Sequence, residues 1–198
     1  MRRSEQAEWR RERLLDAALQ VFAEKGTDGA SVKDIAEAAG VTQGLLYHYF
    51  EGKDALVETL LRERGFLEQL RELLATSAGR PAAVMLPELV REYRGVLAEN
   101  TGLVSLFYSA STNRHVRAAM LEFVAEGQRL LTEYLDARVA AGELRAHNTR
   151  LFAQTLLAAV ATNQYMGADT DPEQIVDLFL NGATARSNPG ARDTSERS

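Results

Sequence analysis

Residues 31–50, SVKDIAEAAGVTQGLLYHYF, are the stretch that most constrains the fold of this chain of 198 residues. Ser31 is suited to cap a short helix, and Gly40 is the residue type that ends a helix in the left-handed conformation. The apolar stripe of this helix, at i, i+3, i+4 and i+7, consists of Val32, Ile35, Ala36 and Ala39. Thr42 is suited to cap a second helix. The apolar face of that second helix consists of Leu46, Tyr49 and Phe50.

Two short helices joined by a turn that contains glycine form a helix-turn-helix, whose second helix enters the major groove of DNA. A third helix is predicted upstream, from about residue 10 to residue 25, with Gly26 at its end. Residues 1–9 are polar, and we expect them to be frayed. The alternative interpretation of the motif is an ordinary helical corner. The outward face of the second helix consists of Gln43, Gly44, Leu45, Tyr47 and His48.

Composition favours helix along the whole chain, which has only four prolines and no cysteine. Because no credible strand is found, we predict an all-α fold. It comprises an N-terminal three-helix head with the helix-turn-helix (1–52), a helical body (53–186) and a disordered tail (187–198). The lack of cysteine excludes disulfides and fits a cytoplasmic location. No segment is long and apolar enough to span a bilayer, so no membrane partner is predicted.

The body is predicted to begin with a connector helix of about twenty residues that starts at Lys53. Gly65 lies in its middle and is expected to let it bend, and Pro87 should kink or restart the next helix. A long helix is predicted from residue 114 to about 141. The last two helices, 148–166 and the one opened by Asp171, are apolar on more than one face. We therefore expect a homodimer through these two helices; a monomer with an internal hairpin is the alternative.

Charge and side-chain chemistry exclude more than they identify. The net charge is −5, and residues 1–64 contain ten basic and twelve acidic side chains, so DNA binding depends on the motif and not on charge. His48, His115 and His147 have no partners at metal-ligand spacing. No phosphate loop or nucleophile motif is found. We therefore predict no enzymatic activity, no metal and no cofactor.

The segment ASVKDIAEAAGVTQGLLYHYFEGKDAL resembles the N-terminal DNA-binding signature of the TetR family of bacterial transcriptional regulators. The shared features are an apolar helix that ends in Ala-Gly-Val, a short helix that ends in Leu-Tyr-x-x-Phe, and a lysine just after it. The resemblance extends back through LLDAALQVFAEKG and covers about the first third of the chain. Further downstream it is limited to length and helical pattern.

The resemblance implies a homodimeric repressor that binds a palindromic operator in double-stranded DNA. A small apolar or aromatic effector in the body would release it from the operator. The positions that resemble base-contacting residues are Gln43, Gly44 and Leu45. Those that resemble phosphate contacts are Lys33, Thr42, Tyr47, His48 and Lys53. A half-buried Leu45 and a Tyr47 packed inside the head remain alternatives.

The effector pocket of the family lies between the connector helix and the helices that follow. By this resemblance, the candidate effector contacts in the body are Met85, Tyr93, Phe107, Tyr108, His115, Met120, Phe123, Asn163 and Gln164. Each of these residue types at helical spacing is also typical of a plain core. A different class of function, a helical protein-interaction adaptor with a degenerate head, is the alternative to the regulator.

Overall fold

The computed structural model describes residues 3–77, 79–108 and 111–182, and these ranges form helices and connecting turns without a strand. The prediction of an all-α chain is confirmed. No helix in these ranges is long and apolar enough to cross a membrane. The predicted tail, 187–198, lies outside the described residues. The helices are α1 (Arg3–Gly29), α2 (Val32–Ala38), α3 (Gln43–Tyr49), α4 (Lys53–Arg64), α5 (Leu67–Thr76), α6 (Ala82–Glu99), α7 (Thr101–Tyr108), α8 (Arg114–Ala140), α9 (Thr149–Tyr165) and α10 (Pro172–Asn181).

The head consists of α1, α2 and α3. α1 begins at Arg3, so the prediction that residues 1–9 are frayed is wrong for all but the first two, which lie outside the described residues. The segment SEQAEW is rich in helix-forming residues, and Glu5 in the first turn interacts favourably with the helix dipole. Gly26 interrupts α1 with a φ of 66°, which is the predicted stop.

The caps of the helix-turn-helix lie where the sequence predicts them. The Ser31 hydroxyl accepts a hydrogen bond from the Asp34 N–H at 3.1 Å, and the Asp34 carboxylate accepts one from the Ser31 N–H at 2.8 Å. Gly40 adopts a φ of 66°, which other residue types rarely adopt. The Thr42 hydroxyl then accepts from the Leu45 N–H at 3.2 Å. The turn between α2 and α3 is therefore set by local hydrogen bonds and one glycine.

The predicted connector is two helices, so the expectation of one bending helix is wrong. α4 ends at Arg64, Gly65 is extended with a ψ of 165°, and α5 starts at Leu67. The reason is steric as well as conformational. A Cβ on Gly65 would lie closer than 3.0 Å to the Leu61 carbonyl oxygen and to the Phe123 ring of α8. The chain turns sharply here because a glycine allows Phe123 to occupy the corner.

The remaining helices follow the predictions more closely. α6 continues through Pro87 without the restart that the sequence suggested. The carbonyl that Pro87 leaves without a donor belongs to Ala83, which is exposed, so water can satisfy it. α7 begins two residues before the predicted position 103, and residues 109–110 lie outside the described ranges. Asn113, Asn148 and Asp171 cap the last three helices.

Two apolar clusters stabilise the fold, and the division between them does not follow the head. The first cluster combines buried residues of the head, such as Phe22 and Leu46, with residues of the body. These body residues belong to α4, to α7 (Leu103 and Leu106) and to α8 (Val116 and Met120). The second cluster lies among α5, α6, the C-terminal half of α8, α9 and α10. The core of the head is therefore completed by α4, α7 and α8.

Candidate functional site

The outward face of α3 is open to solvent, as a recognition helix requires. Leu46 is fully buried and packs α3 into the apolar cluster that it shares with α1 and α2. Tyr47 is 55% exposed, which removes the alternative that it packs inside the head. Leu45 is half-buried, as its alternative interpretation allowed. The exposed residues of this surface are Thr42, Gln43, Gly44, Tyr47 and His48.

The two lysines predicted to meet phosphates have different environments. Lys33 lies in the first turn of α2 and is exposed. The Lys53 ammonium instead donates hydrogen bonds to the carbonyl oxygens of Thr27 at 2.5 Å and Ala30 at 3.0 Å. It therefore fastens the C-terminal end of α1 and the loop that follows it to the start of α4. One of its three N–H groups remains for a phosphate.

The N-terminal half of α1 lies beside the recognition helix, which the sequence analysis did not predict. Trp9, Arg10 and Arg13 line a shallow depression together with residues of the turn and Leu45. The Arg13 guanidinium lies 4.8 Å from the centre of the Trp9 ring and donates to the Ala39 carbonyl at 2.9 Å. This arrangement places two arginines next to α3. The distance of Arg10 and Arg13 from the helix-turn-helix along the sequence does not predict this proximity to α3.

One acidic group of the head is neutralised within the head. The Lys25 ammonium lies 2.7 Å from the Asp34 carboxylate. Its hydrogen bond and those from Ser31 hold the pKa of Asp34 well below its usual range. Asp34 therefore stays ionised but paired at neutral pH. This pairing reduces the repulsion that it would otherwise exert on a phosphate near α2.

The body contains a cavity of about 190 Å³ between α5, α6, α7, α8 and α9. It opens toward solvent where four exposed lining residues meet, namely Tyr108, Val124, Gln154 and Ala158. No charged side chain lines it among the described residues. An engineered apolar cavity of about 150 Å³ holds benzene, so this cavity has room for an apolar group of ring size.

Four of the nine predicted effector contacts line this cavity, namely Tyr93, Phe107, Tyr108 and Phe123. The other five do not. Met85 is fully buried in the second apolar cluster, Met120 belongs to the first, and His115 is exposed at the start of α8. Asn163 and Gln164 are part-buried near the end of α9 and do not line the cavity. Their helical spacing is right, but their faces of α6, α8 and α9 point elsewhere.

Most of the cavity wall was missed because, apart from Phe66, it consists of ordinary aliphatic residues and two glutamines. The additional lining residues are Phe66, Leu67, Leu70, Leu97, Val104, Val124, Gly127, Gln128, Gln154, Leu157, Ala158 and Ala161. A usable signal was the small residues Gly127, Ala158 and Ala161, which line the same wall as large side chains. Small side chains opposite large ones leave space when the backbones cannot approach further.

Tyrosine hydroxyls are the notable polar groups of the cavity. The Tyr93 ring stacks on Phe66 with 4.8 Å between centroids, and burial raises the pKa of Tyr93 to about 12. Its hydroxyl forms no hydrogen bond with the described residues. Tyr108 differs, because its hydroxyl lies 2.7 Å from the Thr162 hydroxyl and its ring stacks on Tyr165 at 4.3 Å.

The loop between α7 and α8 joins the cavity side of the body to the head. The Asp28 carboxylate accepts hydrogen bonds from the Ser111 hydroxyl at 2.9 Å and from the Thr112 N–H and hydroxyl at 2.6 Å each. Led by the Thr112 hydroxyl, these bonds lower the pKa of Asp28 to about 2. The Asn113 amide adds a hydrogen bond to Asp54 at 2.9 Å. The loop is thus tied to α1 and α4 at once.

The last two helices leave an apolar face exposed, here called the α9–α10 face. It consists of Leu151 and Tyr165 of α9, Met166 directly after this helix, and Leu178 of α10. These residues are between 50% and 72% exposed. The two helices contact each other through the rings of Phe152 and Phe179, whose centroids are 5.1 Å apart. Exposed large apolar residues on neighbouring helices are typical of an interaction surface. Gln154 and Ala158, at the mouth of the cavity, lie on the same side of α9.

Comparison with known proteins agrees with the head and with the whole fold. Residues 14–67 match the family described as bacterial regulatory proteins, tetR family. The HTH-type transcriptional repressor KstR2 of Rhodococcus jostii is 31% identical over 199 residues, which cover 90% of this chain and 93% of that protein. The fatty acid metabolism regulator protein of Bacillus subtilis is 26% identical, with coverage of 74% and 77%.

A solved structure repeats the fold over nearly its full length. It is the fatty acid degradation regulator FadR of Bacillus halodurans, with a TM-score of 0.75, 25% identity and coverage of 89% of this chain and 97% of that one. The relatives are transcriptional regulators, which leaves the adaptor alternative without support. With an exposed recognition helix in a capped helix-turn-helix and a full-length relative at 31% identity, the chain belongs to the TetR family of bacterial DNA-binding transcriptional regulators.

Proposed function

We propose that this protein is a homodimeric repressor that binds a palindromic operator in the bacterial cytoplasm and leaves it when an apolar or aromatic effector fills the body cavity. The observation that supports this most directly is the cavity itself. It is uncharged in its described lining, and it adjoins α7, whose following loop is bonded to the head. The name of the Rhodococcus jostii relative supports the sign of regulation, because that protein is a repressor.

The proposed DNA contacts follow from exposure and residue chemistry. Gln43 can bond an adenine edge, Gly44 permits close approach, and Leu45 can contact a thymine methyl. The phosphate contacts proposed are Thr42, Tyr47, His48 and Lys33, which position the helix without selecting sequence. Lys53 would contribute only its remaining donor, since two are bonded within the head. Arg10 joins the proposal because it is exposed beside Leu45.

The proposed dimer uses the α9–α10 face. Two such faces related by a two-fold axis would form a four-helix interface, which would cover apolar side chains that a monomer leaves in water. A symmetric dimer on B-DNA must hold its recognition helices about 34–36 Å apart, or a multiple of the helical turn, to reach successive major grooves. The effector would favour a state of the body in which this spacing is lost.

The first experiment identifies the operator. The protein is incubated with random and genomic fragments, and the retained DNA is sequenced. We expect one motif with two inverted half-sites whose centres are about 10 base pairs, or a multiple of this, apart. Retention without any shared motif would contradict sequence-specific regulation. A single half-site would contradict the symmetric dimer but not the DNA contacts.

The second experiment separates base contacts from phosphate contacts. Gln43→Ala should weaken binding by about 1–3 kcal/mol at one operator position and leave random DNA unaffected. Lys33→Ala should weaken binding to operator and to random DNA alike. It should also reduce the slope of log affinity against log salt concentration by about one unit, which corresponds to one phosphate contact. Arg150→Ala, an exposed position on α9, is the matched control and should change neither. Equal effects of the first two variants on both kinds of DNA would refute the assignment.

A further inference from the structure

Tyr93 contributes a phenol group to the largely apolar wall of the cavity. Its ring is fixed by stacking on Phe66, and Leu97 and Val104 lie in the same wall. Tyr93 is part-buried, and its hydroxyl is not one of the fully enclosed polar atoms without a partner among the described residues, so water in the cavity can reach it. A ligand that displaces this water leaves the hydroxyl unpaired, which is unfavourable, unless the ligand itself supplies the partner.

The charge of that partner follows from the lining. Arg71 and Arg129 lie outside the cavity, in a surface depression on the other side of Leu67 and Phe123. Both are paired with Glu126, at 3.1 Å and 2.8 Å. An anion or a cation inside the cavity would therefore find no counter-ion among the described residues that line it, and an unpaired buried charge is strongly disfavoured.

The role of Tyr93 in that bond follows from its protonation. Desolvation keeps the phenol protonated far above neutral pH, so the hydroxyl is available as a donor. Its matching group is an oxygen that accepts a hydrogen bond. Two glutamines also line the cavity: Gln154 is exposed and Gln128 is part-buried. Their amides can form hydrogen bonds with a second polar group of the ligand near the mouth.

We infer that the effector buries a neutral, compact apolar group of one or two rings with a carbonyl or ether oxygen that accepts a hydrogen bond from Tyr93. This inference rests on the proposed effector role of the cavity. A free ketone and the buried end of a larger molecule, whose charged part stays outside the mouth, share this chemistry.

The test uses two probes that differ by one oxygen, 1-tetralone and tetralin, with calorimetry on the full chain. Tetralone should bind about two- to twelvefold more tightly than tetralin, which is the range for one neutral hydrogen bond. The preference should vanish in Tyr93→Phe. Tyr134→Phe is the matched control, because its hydroxyl bonds to the Arg80 carbonyl at 3.2 Å and does not line the cavity, so the preference should persist.

Two further measurements complete the test. Without ligand, Tyr93→Phe should unfold at the same temperature as the wild type or a higher one, since it removes an unpaired hydroxyl; a lower temperature would mean that Tyr93 has a structural partner. 1-Naphthoate, a carboxylate of similar size, should bind more weakly than tetralone. Equal binding of tetralone and tetralin to the wild type would overturn the inference.

The probes also separate the free molecule from the larger one. If a thioester such as 1-naphthoyl-coenzyme A binds more tightly than tetralone, and Tyr93→Phe weakens the binding of both by the same factor, the bonded oxygen is the carbonyl of a larger ligand; if the thioester binds more weakly than tetralone, a free small molecule is the occupant. Failure to bind operator would refute the proposed function while leaving these binding ratios intact. If a probe releases the protein from its operator but tetralone and tetralin bind equally well, the proposed function stands and the inference about the oxygen is refuted.

Discussion

Phe123 connects two features of the body that lie far apart in the sequence. Its ring lines the body cavity, and the same ring occupies the corner between α4 and α5 that Gly65 leaves open. A ligand that moved this ring would therefore act on the end of α4, the helix that follows the recognition helix. Gly65 is therefore not a flexible point in a continuous helix. Its role is steric, because the lack of a side chain leaves room for the Phe123 ring.

Gly65→Ala should destabilise the chain by about 1–3 kcal/mol, because the added methyl collides with the Leu61 carbonyl and the Phe123 ring. Gly95→Ala is the matched control in α6. No atom lies within 4 Å of its Cβ position, so it should raise stability by up to about 1 kcal/mol. Denaturant unfolding of both variants measures the difference. A Gly65→Ala variant as stable as Gly95→Ala would contradict the steric account.

At the scale of elements, the loop between α7 and α8 is bonded to the C-terminal end of α1 through the Asp28 carboxylate. Asp28→Ala removes three acceptor contacts at once, including the one from the Thr112 N–H. We expect faster hydrogen exchange at that amide and a lower unfolding midpoint. Asp169→Ala is the control, because the Asp169 carboxylate is exposed and its substitution removes a single ion pair with Arg94, at 3.6 Å.

The same contact has a definite pH dependence. The pKa of Asp28 is lowered in the folded chain to about 2 from its ordinary value of 3.8. Its stabilising effect is therefore fully present above about pH 4 and is lost as the pH falls toward about 2. The difference in unfolding midpoint between wild type and Asp28→Ala should be constant from pH 5 to 8 and shrink in acid. A difference that grows in acid would contradict this account of Asp28.

Local elements were predictable from the sequence to the extent that their causes are local. The caps of α2 and α3 depend on Ser31, Asp34 and Thr42 acting within three residues, and they are confirmed. The corner at Gly65 depends on Phe123 of another helix, so no pattern around Gly65 could reveal it. The cavity has the same origin. Met85 and Tyr93 both fit the pattern of α6, yet only Tyr93 faces the space.

At the scale of the whole molecule, the dimer proposed through the α9–α10 face would allow two heads to act together. Leu178→Arg places a charge on this face, where Leu178 is 58% exposed in one chain. In a dimer that charge would be buried without a partner, at a cost of several kcal/mol, so we expect monomers and weak operator binding. Val84→Arg is the control, because Val84 is 53% exposed on α6. Light scattering distinguishes the outcomes, and a wild type that is monomeric at micromolar concentration would refute the dimer.

The shared core of head and body limits how this regulator can exchange parts with its relatives. Leu103, Leu106, Val116 and Met120 close the core around the head, although they belong to helices of the body. A chimera that joins residues 1–52 to a foreign body would leave that core uncovered unless the new α4, α7 and α8 present matching apolar side chains. Recombination should therefore preserve the head together with these three helices, and a new operator specificity is more readily acquired by substitution on α3 than by transplanting the whole head.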